Sequence, residues 1–237
     1  MTARTTRRRR GAVTLVPPAA AGPAFATAAS NRRSYQGKRQ LDLLVVCLLI
    51  GPAAVICAAA ALTHLLAHGR PVLFRQPRVG RDGRLFVLLK LRTMGDPPDG
   101  AATPESTRIA RVTAVGRWLR RLSIDELPQL INVLRGEMSL VGPRPTLPYQ
   151  VGRYTDRQRL RLRATPGLTG LAQVRGRQQL SWPERIEWDL QYLCRQSLLL
   201  DLKILLHTVW TVLARDGATA SHDGDPIAHT PERTLGA

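Results

Sequence analysis

The sequence predicts a mostly helical α/β protein that associates with a membrane. Three observations carry that reading. One apolar run, residues 41–66, is long enough for a membrane helix. Several further stretches repeat apolar residues at helical spacing, and only residues 84–94 alternate as a strand does. The formal net charge of +18 over 237 residues points to anionic partners: lipid head groups, phosphorylated substrates or nucleic acid. Of the 3 cysteines, Cys47 and Cys57 lie inside the apolar run, so no disulfide framework is expected and a reducing cytosolic face fits.

Residues 1–37 read as a disordered basic tail. Arginines at 7–10 ahead of an Ala-rich stretch imitate a secretory signal, but Pro17, Pro18 and Pro23 break any apolar core. The run 41–66 follows. A straight helix of that length reaches about 39 Å, enough to span a bilayer. Gly51-Pro52 falls near its middle, where proline removes a backbone bond and kinks a helix. Basic residues flank both ends (Arg32, Arg33, Lys38 and Arg39; Arg70, Arg75 and Arg78), which favours both ends in the cytosol. A re-entrant hairpin of two half-helices satisfies that; a kinked single span fits the composition equally well.

In residues 84–94, Leu85, Val87, Leu89 and Leu91 share one side, and Phe86, Leu88, Lys90 and Arg92 the other. Two cations therefore project together. Residues 95–106 are a Pro/Gly/Asp-rich loop. Ile109, Val112, Gly116, Leu119 and Leu122 recur at helical spacing, and Arg117, Trp118 and Arg121 suit a helix on a core or in the head-group layer. Next come adjacent carboxylates, Asp125 and Glu126, placed to cap a helix through Ser123 or Asp125. Leu127, Leu130, Ile131 and Leu134 give that helix its buried stripe, and Gly136 ends it.

Pro143 and Pro145 bracket Arg144, offering a fixed guanidinium fork for phosphate, or simply a rigid turn. Residues 151–163 read as one basic helix. Residues 165–177 are Gly-rich enough for close backbone approach to a ligand and add Arg175 and Arg177. Ser181 caps a helix running through Asp189 and Tyr192. Residues 198–213 form a buried or interfacial helix interrupted by Asp201, Lys203 and His207, and from Gly217 the chain reads as a tail.

The stretch SIDELPQLINVLRGEMSLVGPRP at 123–145 resembles the core motif of bacterial sugar transferases, the monotopic polyprenyl-phosphate phosphoglycosyl transferases. The likeness extends to residues 38–42, 71–94 and 166–177, and more weakly to 189–208. It implies a re-entrant membrane helix at 38–68, a cytosolic catalytic domain with a short β element and interfacial helices at 69–214, and tails at 1–37 and 215–237. It implies the catalytic module alone, without the N-terminal multi-span region of larger members. Carried over residue by residue, it makes Asp125 the nucleophile and Glu126 its metal-associated partner. Lys90, Arg92, Arg144, Arg175 and Arg177 become substrate contacts, and Asp189 a further metal contact.

Mg²⁺ is the implied cofactor. The implied partners are a nucleotide sugar (most simply a UDP sugar), polyprenyl phosphate and membrane lipid, with a second copy of the chain as an optional one. The implied location is the cytosolic face of the bacterial inner membrane. Two other classes compete. A membrane-tethered nucleic-acid binder accounts for the charge, but the sequence shows no helix-turn-helix, zinc site or aromatic-rich surface, so nucleic acid is not expected. A catalytically silent scaffold would not need Asp125.

Overall fold

The apolar run folds as one helix, α1 (Lys38–His68), in a computed structural model that describes residues 34–94, 112–176, 180–213 and 227. The expected tail at 1–33, the loop at 95–106, Ile109, Arg177 and nearly all of the expected C-terminal tail lie outside those residues. Pro52 sits inside α1, so two separate half-helices do not form. Proline costs the helix one backbone bond, and here packing on both sides of Pro52 holds the helix in register. Lys38, Asp42, Val46, Ala53, Ala60 and His64 are all buried. Their spacing of four or seven residues keeps them on one face along nearly the whole helix. Leu44, Leu48, Val55 and Leu66 occupy the opposite face and are 71%, 76%, 71% and 79% exposed. Among the described residues α1 is the one helix long and apolar enough to cross a membrane.

Against the packed face of α1 stands a mostly helical domain with two small sheets. Strands β1 (Leu73–Val79) and β2 (Leu85–Leu91) form an antiparallel hairpin. Its tight turn uses Asp82 at φ 53° and Gly83 at φ 81°, left-handed conformations that suit the twist of a hairpin. Phe86 and Leu88 enter the core, while Leu85 and Val87 face outward. Lys90 therefore shares the inward face, and its side chain is largely buried rather than left in solvent.

Helix α2 (Ala114–Arg121) starts at Thr113, whose hydroxyl accepts from the amide of Gly116. A 3₁₀ turn, Ile124–Glu126, follows, then α3 (Gln129–Leu134) and β3 (Ser139–Val141). The buried stripe of α3 is Gln129, Leu130, Asn132 and Val133, whereas Ile131 and Leu134 face outward. Gly136 ends the segment at φ +77°, as expected.

The expected basic helix at 151–163 is three short pieces: α4 (Pro148–Gly152), α5 (Asp156–Arg159) and a 3₁₀ turn, Leu160–Arg163. Thr155 starts a new helix with its own capping box, which breaks the run. Strand β4 (Gly167–Thr169) then pairs in parallel with β3. Three helices complete the chain: α6 (Leu171–Arg175), α7 (Trp182–Arg195), capped by Ser181 as expected, and α8 (Leu198–Leu213).

The first turn of α1 is locked into the domain. The Lys38 ammonium donates to Asp201 of α8 at 2.6 Å, to the Tyr192 hydroxyl of α7 at 3.0 Å and to the Val141 carbonyl of β3 at 2.9 Å. All three of its hydrogens are used. Lys38→Met would strand the buried Asp201 carboxylate and is expected to cost about 3–5 kcal/mol. Thermal unfolding in detergent measures this, and Lys38→Met/Asp201→Leu should recover most of the loss.

Candidate active site

Three elements meet at the acidic pair. Strand β2 brings Lys90, the 3₁₀ turn brings Asp125 and Glu126, and the loop after β3 brings Arg144. The pair does not cap a helix through its side chains. Ser123 takes a left-handed conformation (φ 56°), its hydroxyl caps nothing, and α3 begins only after Pro128. The turn instead aims both carboxylates at the cations.

Those carboxylates are treated unequally. Lys90 Nζ donates to Glu126 Oε1 at 2.6 Å, and Arg144 Nη2 donates to the same oxygen at 2.7 Å. Glu126 Oε2 receives only a 3.5 Å contact from Arg144 Nη1. Asp125, buried at 7% exposure, has Lys90 at 4.0 Å as its nearest ionic partner. Burial pushes the Asp125 carboxyl above the usual range, with the Glu126 charge adding to the rise and Lys90 opposing it. Burial acts in the same direction on Glu126, but Arg144 and Lys90 outweigh it and hold that carboxyl well below the usual range. One carboxylate is thus clamped and the other kept comparatively free.

The supporting frame was only partly visible in the sequence. Asn132, fully buried in α3, accepts from the Leu89 amide through Oδ1 at 3.2 Å and donates to the Val87 carbonyl at 2.8 Å. It acts as a strand edge for β2 and fixes the register that delivers Lys90. An asparagine set within a leucine-rich helix was the available signal. Arg120 was also missed. Its Nε donates to the Thr93 hydroxyl at 2.8 Å, and its positive charge acts on Asp125.

Other expected site residues lie apart. Arg92 Nε turns to the Met94 carbonyl at 3.3 Å, and Arg175 stacks on the Trp188 ring at 5.4 Å. Arg177 falls outside the described residues. Asp189 is not brought to the pair: it is 2% exposed and accepts from Arg161 Nε at 3.0 Å. Among the described residues no three His, Cys, Asp or Glu side chains converge on a metal-sized site. The Gly-rich stretch also serves a different purpose. A Cβ on Gly167 would stand 2.1 Å from the Gly142 amide nitrogen, and one on Gly170 2.2 Å from the Gly142 carbonyl oxygen. These glycines let β4 pack on the loop that carries Arg144.

Taken together, a carboxylate without a close ion pair and a clamped one, with Lys90 and Arg144 beside them, form a centre suited to anionic groups. Residues 33–215 match the family described as bacterial sugar transferase, and the chain belongs to that family. It is 44% identical to "Uncharacterized sugar transferase EpsL" of Bacillus subtilis (strain 168), over 76% of this chain and 89% of that protein. It is 47% identical to a UDP-glucose:undecaprenyl-phosphate glucose-1-phosphate transferase of Caulobacter vibrioides, over 76% and 71%. It is 38% identical to "Exopolysaccharide production protein ExoY" of Rhizobium meliloti (strain 1021), over 76% and 87%.

The depressed Glu126 value has a stability consequence. Its ion-pair contribution is fully present above the ordinary glutamate value of 4.5 and is lost as pH falls from there through the lower folded value. Wild type should therefore melt above Glu126→Gln by a constant margin at neutral pH, and the margin should narrow below about pH 4.5. Paired melting curves across pH check this.

Proposed function

We propose that the protein transfers a sugar phosphate from a nucleotide sugar, most simply a UDP sugar, to a polyprenyl phosphate such as undecaprenyl phosphate. The observation that carries the reading is the unequal pair. Glu126 absorbs both close cation contacts, which leaves Asp125 with its nearest ionic partner at 4.0 Å. Burial makes that carboxylate more basic, which favours it as a nucleophile. The activity named for the Caulobacter relative and the exopolysaccharide production named for the Rhizobium one support the same reading, a step of exopolysaccharide synthesis.

An Asp125 oxygen attacks the phosphorus bearing the sugar. An O–P bond forms, the bridging P–O bond breaks, and nucleoside monophosphate leaves with the bonding pair. Lys90 and Arg144, with Arg120 nearby, hold the phosphoryl oxygens and offset the charge that develops. In the second step an oxygen of the polyprenyl phosphate attacks the same phosphorus and releases the Asp125 carboxylate. The product is a polyprenyl-diphosphate sugar. The residues present fit a Mg²⁺ ion, because Glu126 Oε2 has only one long contact and Mg²⁺ takes few protein ligands alongside substrate phosphates. Glu126 would hold the ion, which would supply electrophilic charge at the phosphoryl group.

Membrane placement follows the same logic. The inward face of α1 is packed along nearly its whole length, so the helix lies across the domain rather than leading away from it. The exposed Leu199, Leu206 and Trp210 of α8 offer a second apolar face. This favours residence in one leaflet of the inner membrane, with the centre on the cytosolic side. A second copy of the chain is not needed to complete it.

Asp125→Asn should lower transfer by at least about 10⁴-fold and abolish covalent labelling by radiolabelled nucleotide sugar; retained turnover would refute the assignment. Labelling of wild type should need a pH above the ordinary aspartate range, because Asp125 must be ionised to attack. Lys90→Met removes a cation that lowers the Asp125 value, so the acid limb of its residual labelling should move to higher pH.

A further inference from the structure

Behind the loop that carries Arg144 lies a buried charge pair that touches neither carboxylate of the acidic pair. Arg161 and Asp189 are each 2% exposed. Arg161 Nε donates to Asp189 Oδ2 at 3.0 Å, and Nη2 reaches the same oxygen. Nη1 donates to the Tyr154 hydroxyl at 2.8 Å, and Nη2 also donates to the backbone carbonyl of Arg144 at 3.0 Å. A buried arginine held on a carboxylate is costly to desolvate, and burying apolar residues there would stabilise the fold as well. Its third partner, the Arg144 carbonyl, is what an apolar pair would not hold.

The rest of the loop is pinned by three backbone hydrogen bonds and one from the Arg78 side chain. The Gly142 amide donates to the Thr169 carbonyl at 2.9 Å, and the Gly167 amide donates to the Pro143 carbonyl at 2.9 Å. Arg78 donates to the Pro145 carbonyl at 3.1 Å, and the Val79 amide donates to the Thr146 carbonyl at 2.9 Å. From Gly142 to Thr146, Arg144 alone has its carbonyl held by the buried pair. Two prolines fix φ on either side of it, and Arg161 fixes the peptide plane between them.

We propose that the Arg161–Asp189 pair positions Arg144. It sets the direction from which the guanidinium approaches Glu126, and Asp189 is a positioning residue rather than a metal ligand. This rests on the proposed role of Arg144 at the acidic pair. A shift of about 1 Å in a substrate-clamping group is enough to cost about 100-fold in rate, and loss of one carbonyl anchor permits such a shift.

A double-mutant cycle on full-length protein in membranes tests it, reading nucleoside monophosphate release from UDP-glucose and UDP-galactose. Arg144→Ala alone should lower kcat/KM; unchanged kcat/KM would refute the role of Arg144 itself and leave Asp125→Asn to judge the wider reading. Arg161→Met/Asp189→Leu, which leaves no buried charge unpaired, should melt near wild type yet lose at least about tenfold in kcat/KM. Added to Arg144→Ala, that double change should cost no more than about twofold further. Full activity in Arg161→Met/Asp189→Leu, or losses that multiply with Arg144→Ala, would overturn the proposal. Asp189→Asn should keep the Mg²⁺ concentration for half-maximal rate unchanged; a tenfold rise would make Asp189 a ligand instead.

Discussion

The centre depends on one carboxylate oxygen. Glu126 Oε1 accepts from Lys90 at 2.6 Å and Arg144 at 2.7 Å, and so ties strand β2 to the loop after β3 through a single turn of 3₁₀ helix. The clamp forces the two neighbouring carboxylates apart in character. Identical burial would push both toward protonation, and only the one holding two cations escapes. Asp125 keeps the consequence of burial because Glu126 takes the compensation.

That division needs rigid supports, and they come from chain segments remote in sequence. Arg39 of α1 donates to the Val133 carbonyl at 2.5 Å and the Leu134 carbonyl at 2.8 Å, closing the C-terminal end of α3. Asp42 accepts the Leu140 amide at 2.9 Å, and Lys38 holds the Val141 carbonyl. Three residues at the head of the apolar helix therefore grip the backbone that leads to and from the acidic pair. The long apolar helix is a wall of the domain that holds the centre, so its placement and the geometry of the centre are mechanically one problem.

How much of this the sequence disclosed varies with the range of the interaction. Helices with local signals were legible: Ser181 as a cap, Gly136 as a stop, and the apolar run itself. The grouping of Lys90, Glu126 and Arg144 was legible through motif resemblance, although local chemistry left each of them an ordinary alternative. Contacts made by long-range packing were not. Nothing local distinguishes Arg161 among the basic residues at 157–163, and Asp189 read as a metal contact through the resemblance until its partner 28 residues earlier was in place. The glycines at 167 and 170 were read as making room for a ligand, whereas they make room for Gly142. A sequence shows that a close approach is needed; only the fold shows what approaches.

Charge balance explains why so basic a protein places two of its 17 acidic residues here. Lys90, Arg120 and Arg144 contribute three positive charges near Asp125, and Asp125 and Glu126 contribute two negative ones. Under the proposed function, a net of about +1 would not offset a diphosphate, which brings about two negative charges, and would fall further short once a lipid phosphate is added. More arginines would improve binding but also lower the Asp125 value and blunt the nucleophile. Under the proposed function, a divalent cation bound with the diphosphate would avoid that conflict, since its charge would enter with the substrate and need not act on Asp125 beforehand. In this reading Glu126 occupies Lys90 and Arg144 through Oε1, and Oε2 is the oxygen that would meet the added charge.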